Sequence, residues 1–157
     1  MLKKHNPIIL HRILDTTDKN IENKDLMFED ISLKSFRTII STANICRSVV
    51  EAVSLGSNSD NQPGIILTFD DGNKSDIELA LPLIQEANFA ATFFIVPEFI
   101  GKKTFMSWSD VRSLIHAGME VGSHSMSHPD FRNLNYNQAY FELLSSKKLI
   151  EEKVNTS

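Results

Sequence analysis

Residues 65–72 read IILTFDDG, an apolar run that ends in two adjacent carboxylates and a glycine. The run predicts a buried strand, because it is short, continuous and bounded by turn residues. Two like charges at a strand end repel each other, so we expect Asp70 or Asp71 to be protonated, paired or bound to a cation. Gly72 permits a sharp turn, which lets both side chains face one space. A plain Asp-Asp-Gly turn, with Asp71 capping the next helix, explains the stretch equally well.

The composition of the whole chain predicts one folded domain and excludes several function classes. With 157 residues, of which 41% are hydrophobic and 23% charged, the chain can bury a sizeable core and is not disordered. A net charge of -4 offers no electrostatic attraction to nucleic acid. Cys46 is the single cysteine, which excludes an internal disulfide and a cysteine-built zinc site. We interpret Cys46 as a small core residue.

The sequence shows no targeting segment. No apolar run approaches the roughly 20 residues of a membrane span. The apolar positions 8–10 are too few for the hydrophobic part of a signal peptide. The default prediction is therefore a cytoplasmic protein without a membrane span or an export signal of its own.

The part of the chain before residue 65 predicts a strand and two helices. The strand covers 7–14, and a helix begins after Ser32, which can cap it, with Phe36 on its apolar face. Polar residues predict loops at 15–24 and 56–64. The residues that form a second helical stripe are Cys46, Val49, Val50 and Val53.

From residue 65 onward, strand and helix patterns alternate. Pro82 predicts that the first of these helices is kinked or starts late. The alternation specifies parallel strands joined by right-handed crossovers, and hence an α/β fold. The predicted elements are a strand at 65–71, a helix at 76–87, a strand at 90–96, a helix opened by a capping box at 107–110 and ended by Gly118, a strand at 119–124 and a helix at 136–154. The residues that the capped helix should bury are Val111, Leu114 and Ile115.

Chemistry-bearing residues follow two of the predicted strands. Asp70 and Asp71 end one strand, and His124 ends another. Active sites of parallel α/β folds lie at the carboxyl ends of the strands. We therefore expect the two carboxylates and His124 to lie at the same edge of the sheet.

His124 and His128 are separated by four positions in HSMSH. In a continuing strand they would lie about 13 Å apart, from a rise of roughly 3.3 Å per residue. If the chain curls after His124, both rings can share one ion, although Pro129 favours an extended conformation at His128. Two histidines and one carboxylate are three metal ligands that leave a position open for water, and the second aspartate is then available as a general base. Two histidines without a metal are the alternative.

The remaining histidines have simpler interpretations. His116 lies in the last turn before Gly118 and can interact with a helix C-terminus. His11 lies in the first predicted strand, and lining the same site is a secondary possibility for it.

Three motifs together resemble the polysaccharide deacetylase family, also described as the NodB-homology or chitin-deacetylase-like domain of carbohydrate esterase family four. They are TFDDG at 68–72, ATFF at 91–94 and HSMSH at 124–128. The resemblance covers 63–154. Residues 8–12 are also similar to the N-terminal "YHR" strand of some bacterial members, with Leu10 in place of the tyrosine.

The resemblance implies a distorted (β/α) barrel and the metal-dependent removal of acetyl groups from an N-acetylated glycan. By the family pattern, Asp70 matches the catalytic base. Asp71, His124 and His128 match the ligands of a divalent metal, most often zinc. That Asp70 rather than Asp71 is the base comes from the resemblance alone.

Three further motifs of the family have no counterpart before Ser157. They are an Arg-x-x-Pro-Tyr element, an aspartate-containing strand and a Leu-x-His. The resemblance therefore implies an incomplete barrel within one domain, with 1–62 as an N-terminal strand and helices and 63–157 as the first part of the deacetylase domain. We expect an open sheet edge and uncovered apolar surface. The alternative function is a truncated, non-catalytic metal-binding half-barrel, whose edge a homodimer would cover.

Overall fold

The computed structural model describes residues 6–15, 30–54 and 64–155, which form a parallel sheet with its connecting helices. The strands are β1 Asn6–Leu10, β2 Arg12–Leu14, β3 Asp30–Ser32, β4 Cys46–Arg47, β5 Ile65–Asp71, β6 Thr92–Ile95 and β7 Glu120–Ser123. The helices are α1 Leu33–Thr42, α2 Val49–Ser54, α3 Leu81–Glu86, α4 Trp108–His116 and α5 Tyr136–Asn155. A π-helical segment at Asp76–Ala80 leads into α3, and a 3₁₀ turn at Phe131–Asn133 precedes α5.

The strands of the main sheet pair in parallel, as the alternating pattern predicts. The order across the sheet is β1, β5, β6 and β7, so the strand that carries the two aspartates lies inside the sheet. β4 pairs with the start of β5, and β6 pairs with its end, so these two strands follow one another along one edge of β5. Within the described ranges no strand pairs with the outer edge of β7, as expected for an open sheet.

Three aromatic side chains form the centre of the core. Phe69 on β5 stacks on Phe93 of β6 with ring centroids 4.7 Å apart, and Phe36 of α1 meets Phe69 edge-on at 5.9 Å. All three are almost completely buried. Because full burial of a phenylalanine is worth about 1.5–3 kcal/mol, this cluster holds β5 against β6 and α1.

Two helix starts agree with their predicted caps. Ser32 precedes α1, and its hydroxyl accepts a hydrogen bond from the Ser35 backbone N–H at 3.0 Å. Ser107 and Asp110 form the capping box of α4, in which each side chain accepts a hydrogen bond from the other residue's backbone N–H. Lys74 also donates to the Asp110 carboxylate at 2.6 Å, which ties the loop after β5 to the start of α4.

The predicted second helix is wrong at its start. Cys46 lies in the short strand β4, and its carbonyl accepts a hydrogen bond from the Ala90 N–H. Only Val49–Ser54 is helical, and Val50 and Val53 on it are exposed. The sheet prevails over the local helical pattern because it satisfies the backbone of a buried segment. Cys46 is nonetheless the core residue we expected, and burial raises the pKa of its thiol to about 11.

Two further details differ from the sequence-based expectation. Ile115 is 41% exposed, because the short helix α4 presents only Val111 and Leu114 to the core. The predicted strand at 7–14 is interrupted at His11, so its first half joins the main sheet and its second half pairs with β3.

The helix after β5 shows the effect of Pro82. The chain winds as a π-helix over Asp76–Ala80 and as an α-helix over Leu81–Glu86, so the regular helix starts late, as predicted. It ends at Glu86, and Asn88, two residues later, has a left-handed φ of 53°. Neither Asn73 nor Ser75 accepts a capping hydrogen bond here, since the Ser75 hydroxyl accepts from the Ile13 N–H and the Asn73 amide donates to the His11 carbonyl.

Some predictions fall outside the described residues. These are most of the loop at 15–24 and nearly all of the loop at 56–64. Among the helices that the structure describes, none has both the length and the apolar composition that crossing a bilayer requires.

Candidate metal centre

The carboxyl ends of β5, β6 and β7 meet at one edge of the sheet. Asp71 pairs with Ile95, and Ile95 pairs with Ser123, so the three strand ends lie level with one another. The His124 backbone N–H continues this pattern and donates to the Ile95 carbonyl at 2.9 Å. The prediction that the aspartates and His124 share one edge is therefore confirmed.

The end of β5 turns so that both carboxylates face the same space. Asp71 and Gly72 have consecutive left-handed φ values of 74° and 81°. The two side chains consequently approach one imidazole instead of opposite faces of the sheet. Nε2 of His124 lies 3.9 Å from Oδ2 of Asp70 and 3.7 Å from Oδ1 of Asp71.

The segment after β7 curls and brings the second histidine back. The rings of His124 and His128 lie 4.9 Å apart between centroids, which settles the choice between curl and continuing strand. The expected extended conformation at His128 is wrong, since its φ is 59°. Ser125, also left-handed at 64°, closes the curl by accepting a hydrogen bond from the His128 N–H at 3.1 Å. This closure outweighs the restriction that Pro129 imposes on the residue before it.

Asp71, His124 and His128 have the geometry of a three-ligand metal site. One potential ligand atom from each lies within 4.8 Å of the other two, and both imidazole Nε2 atoms are 3.7 Å from Oδ1 of Asp71. Ligands of a tetrahedral zinc ion, with bonds of about 2.0–2.1 Å, lie roughly 3.3 Å apart. Small side-chain adjustments therefore suffice for all three to reach one ion.

The surroundings of Asp71 Oδ1 also indicate that the site fits a metal ion. This atom is buried and accepts no hydrogen bond from the described residues. A buried acceptor without a partner costs about 1–3 kcal/mol, more when it is charged. A divalent cation between Asp71 and the two imidazoles would satisfy it, so the donor set fits a metal.

Asp70 lies beside this group in a different environment. Burial raises the pKa of its carboxyl group, the nearby imidazoles of His124 and His11 lower it, and the neighbouring Asp71 raises it again, with a net increase. The side chain is 14% exposed and therefore still reaches the space in front of the sheet. A carboxyl group with a raised pKa is suited to accepting a proton near neutral pH.

His11 lies closer to this centre than the sequence suggested. Leu10 pairs with Phe69, so the next residue, His11, arrives at the level of Asp70. Its carbonyl accepts a hydrogen bond from the Asn73 side chain at 2.7 Å. The cavity beside the metal centre has a volume of about 230 Å³ and is lined by His11, Arg12, Asp30, Asp71, Asn73, Thr104 and Phe105. His116 lies elsewhere, with Nδ1 2.9 Å from the Arg112 carbonyl at the end of α4.

Asp76 supports the turn that carries Asp71 and is completely buried. Burial raises the pKa of its carboxyl group well above the usual value, although hydrogen bonds from Ser75 and the Asn73 backbone act in the opposite direction. An acidic residue in the first turn of a helix, as Asp76 is, ordinarily complements the helix dipole from the surface. Nothing local indicates its burial, which results from packing of the turn against the N-terminal segment.

Comparison with known proteins identifies the family. A sequence model of the family described as "Polysaccharide deacetylase" matches residues 57–157, which is more than half of the chain. The chain belongs to the polysaccharide deacetylase family. The match includes both motifs that meet at the candidate metal centre, so the resemblance inferred from the sequence is confirmed.

Relatives of this family are similar over about half of the chain. The bifunctional xylanase/deacetylase of Pseudobutyrivibrio xylanivorans is 35% identical over 83 residues, 53% of this chain and 13% of the relative. The peptidoglycan-N-acetylglucosamine deacetylase PgdA of Listeria monocytogenes is 31% identical over 87 residues, 55% of this chain and 18% of the relative. The chain therefore spans less than a fifth of the length of these two proteins.

A solved deacetylase structure shares the fold of this chain. The Streptococcus pyogenes deacetylase PplD, in complex with acetate, superposes with a TM-score of 0.82 at 17% identity, over 96% of this chain and 69% of that one. The parallel strands and crossover helices thus form part of a deacetylase barrel, as the resemblance implied.

Proposed function

We propose that the protein is a metal-dependent hydrolase that removes acetyl groups from an N-acetylated polysaccharide. The observation that carries this proposal is the convergence of Asp71, His124 and His128 around a buried, unsatisfied carboxylate oxygen, with Asp70 beside them. Membership of the polysaccharide deacetylase family supports the same reaction class.

Asp71, His124 and His128 would hold the divalent cation, with zinc as the first choice because it prefers nitrogen and oxygen ligands in this number. When bound, such an ion lowers the pKa of water and polarises a carbonyl group. Three protein ligands leave room for water and for the substrate. The side chains of His124 and His128 are 31% and 49% exposed, so solvent reaches both imidazoles.

Asp70 is the residue we assign as general base. In the hydrolysis of an acetamide, a water oxygen bonds to the carbonyl carbon, the carbon–nitrogen bond breaks, and the departing nitrogen takes up a proton. Asp70 accepts the proton of the attacking water, for which its raised pKa is suitable. His11 lines the adjacent cavity, and we assign its imidazole as the candidate donor of the proton that the departing amine requires.

The test is acetate release from N-acetylglucosamine oligomers by the full chain, with and without a chelator. We expect Asp70→Asn to reduce kcat by about 10²–10⁴-fold while zinc still binds. Asp71→Asn should weaken zinc binding strongly and lose activity. Asp130→Asn is the matched control, because Asp130 is an exposed aspartate near the histidine loop that pairs only with local residues.

The outcomes separate the two functions under consideration. Acetate release that survives both the chelator and the Asp70→Asn substitution contradicts the proposal. Stoichiometric zinc binding without any acetate release favours the alternative, a non-catalytic metal-binding half-barrel, for which a dimer in light scattering would be additional support.

A further inference from the structure

Glu142, on the second turn of α5, makes three hydrogen bonds to the loop between the two histidines. Its Oε2 accepts from the backbone N–H groups of Met126 at 2.8 Å and Ser127 at 2.9 Å. Its Oε1 accepts from the Ser127 hydroxyl at 2.8 Å. We propose that Glu142 is a positioning residue for the candidate metal centre, which fixes the curl that presents His124 and His128 to one ion. This inference rests on the proposed function.

The histidine loop needs such a partner because its backbone is strained. Ser125 and His128 both have left-handed φ values, which residues other than glycine adopt at an energetic cost. Conformations of this kind persist only when the surrounding structure over-determines them. The hydrogen bond inside the loop, from His128 N–H to Ser125 Oγ, closes the curl but does not attach it to the rest of the molecule.

Two adjacent backbone N–H groups that point the same way form a small anion-binding concavity. Here those groups belong to Met126 and Ser127, and the carboxylate that fills the concavity comes from the protein's own helix. The Met126 carbonyl, on the other side, accepts a hydrogen bond from the Glu98 N–H at 3.1 Å. The loop is therefore held between α5 and the segment after β6.

Glu142 is not one of the three residues of the metal group, so any effect on the metal must pass through the loop. The ligand rings are 4.9 Å apart only because the residues between them stay curled. Without the carboxylate, the two N–H groups lose their partner and the loop can relax towards ordinary φ values. The distance between the imidazoles would then vary, and zinc affinity would fall.

The test compares zinc affinity among variants of Glu142, measured by competition with a chromogenic chelator. We expect Glu142→Ala to weaken binding by about 10–100-fold, as is usual for residues that orient metal ligands. Glu142→Gln should remain within about threefold of wild type, since its carbonyl oxygen can accept both N–H groups and its amide can donate to the Ser127 hydroxyl. Glu152→Ala, on the exposed side of the same helix, should bind zinc as wild type does.

A purely structural role would give a different pattern. Unfolding of each metal-free variant in urea is therefore measured alongside. Glu142→Met, which keeps the length of the side chain without its carboxylate oxygens, replaces Glu142→Ala if the latter does not fold. In a His128→Ala background the same substitutions should change zinc affinity less than twofold, because the curl then presents a single imidazole.

The results that count against the inference are distinct from those that count against the proposed function. If wild-type protein binds zinc and Glu142→Ala or Glu142→Met binds it within twofold, Glu142 does not position the ligands. The same conclusion follows if neither variant folds, because Glu142 then serves the fold alone. If wild-type protein does not bind zinc, the proposed function fails and this inference fails with it.

Discussion

Replacing Gly72 by alanine tests the turn on which the metal centre depends. Gly72 has a φ of 81°, which costs an alanine about 1–2 kcal/mol. A Cβ at this position would also lie 3.1 Å from Cγ2 of Ile95 and 3.3 Å from Cδ1 of Ile100. Both distances are tighter than ordinary van der Waals contact, so the isoleucines must shift, and overpacking of this kind adds roughly 1–3 kcal/mol. We therefore expect Gly72→Ala to lower the free energy of unfolding by about 2–5 kcal/mol.

Two other glycines isolate the packing part of this effect. Gly101 and Gly118 have φ values of 88° and 80°, but no atom lies within 4 Å of the Cβ that an alanine would introduce. Their alanine variants should lose only the conformational part, about 1–2 kcal/mol. Urea unfolding of the three metal-free variants measures the difference directly. If Gly72→Ala is no more destabilising than the two controls, the close approach of β5 to Ile95 and Ile100 has no energetic importance and the reasoning is refuted.

Three further predictions concern groups outside the metal centre. Burial alone raises the pKa of Asp110, but hydrogen bonds from Lys74 and Ser107 outweigh it and lower the pKa overall. The stability that the lowered pKa of Asp110 contributes is present above the unfolded-state pKa of about 3.9. It is lost as the pH falls through the lower pKa of the native state. Lys74→Met should therefore reduce the loss of stability between neutral and acid pH by about 0.5–1 kcal/mol in urea titrations; an unchanged profile would contradict this. The raised pKa of Asp76 has the opposite sign, since the native state retains a proton that the unfolded chain releases, and stability falls as pH rises above about 3.9. Asp76→Asn should remove this decline, so its stability relative to wild type should increase with pH. Cys46, with a pKa of about 11, should react with iodoacetamide at pH 8 only after urea unfolds the protein, and rapid labelling of the native state would show that it is accessible.

The features that the sequence could predict are those with a local cause. The buried strand that ends in Asp70 and Asp71 follows from a short apolar run and a glycine, and the capped start of α4 follows from Ser107 and Asp110. Parallel pairing follows from the alternation of strands and helices. Together these features predict that the aspartates and His124 lie at one edge of the sheet.

The features that the sequence could not predict depend on distant partners. Cys46 lies in a strand because it pairs with the start of β5 and its carbonyl accepts a hydrogen bond from the Ala90 N–H. The local spacing of apolar residues does not reveal these distant partners. His11 reaches the site because β1 pairs with β5 in one register. The role of Glu142 is equally hidden, since a glutamate within a long polar helix looks like a solvated residue until the loop it holds is known.

The left-handed residues at the rim of the sheet restrict how this protein can diverge. Asp71, Gly72, Ser125 and His128 occupy backbone conformations that glycine, asparagine and aspartate tolerate best and that β-branched side chains reject. Valine, isoleucine and threonine are thus barred from these four positions by shape, whatever chemistry a new substrate demands. Changes in specificity must therefore arise in the surrounding loops, while these four positions accept only a few residue types.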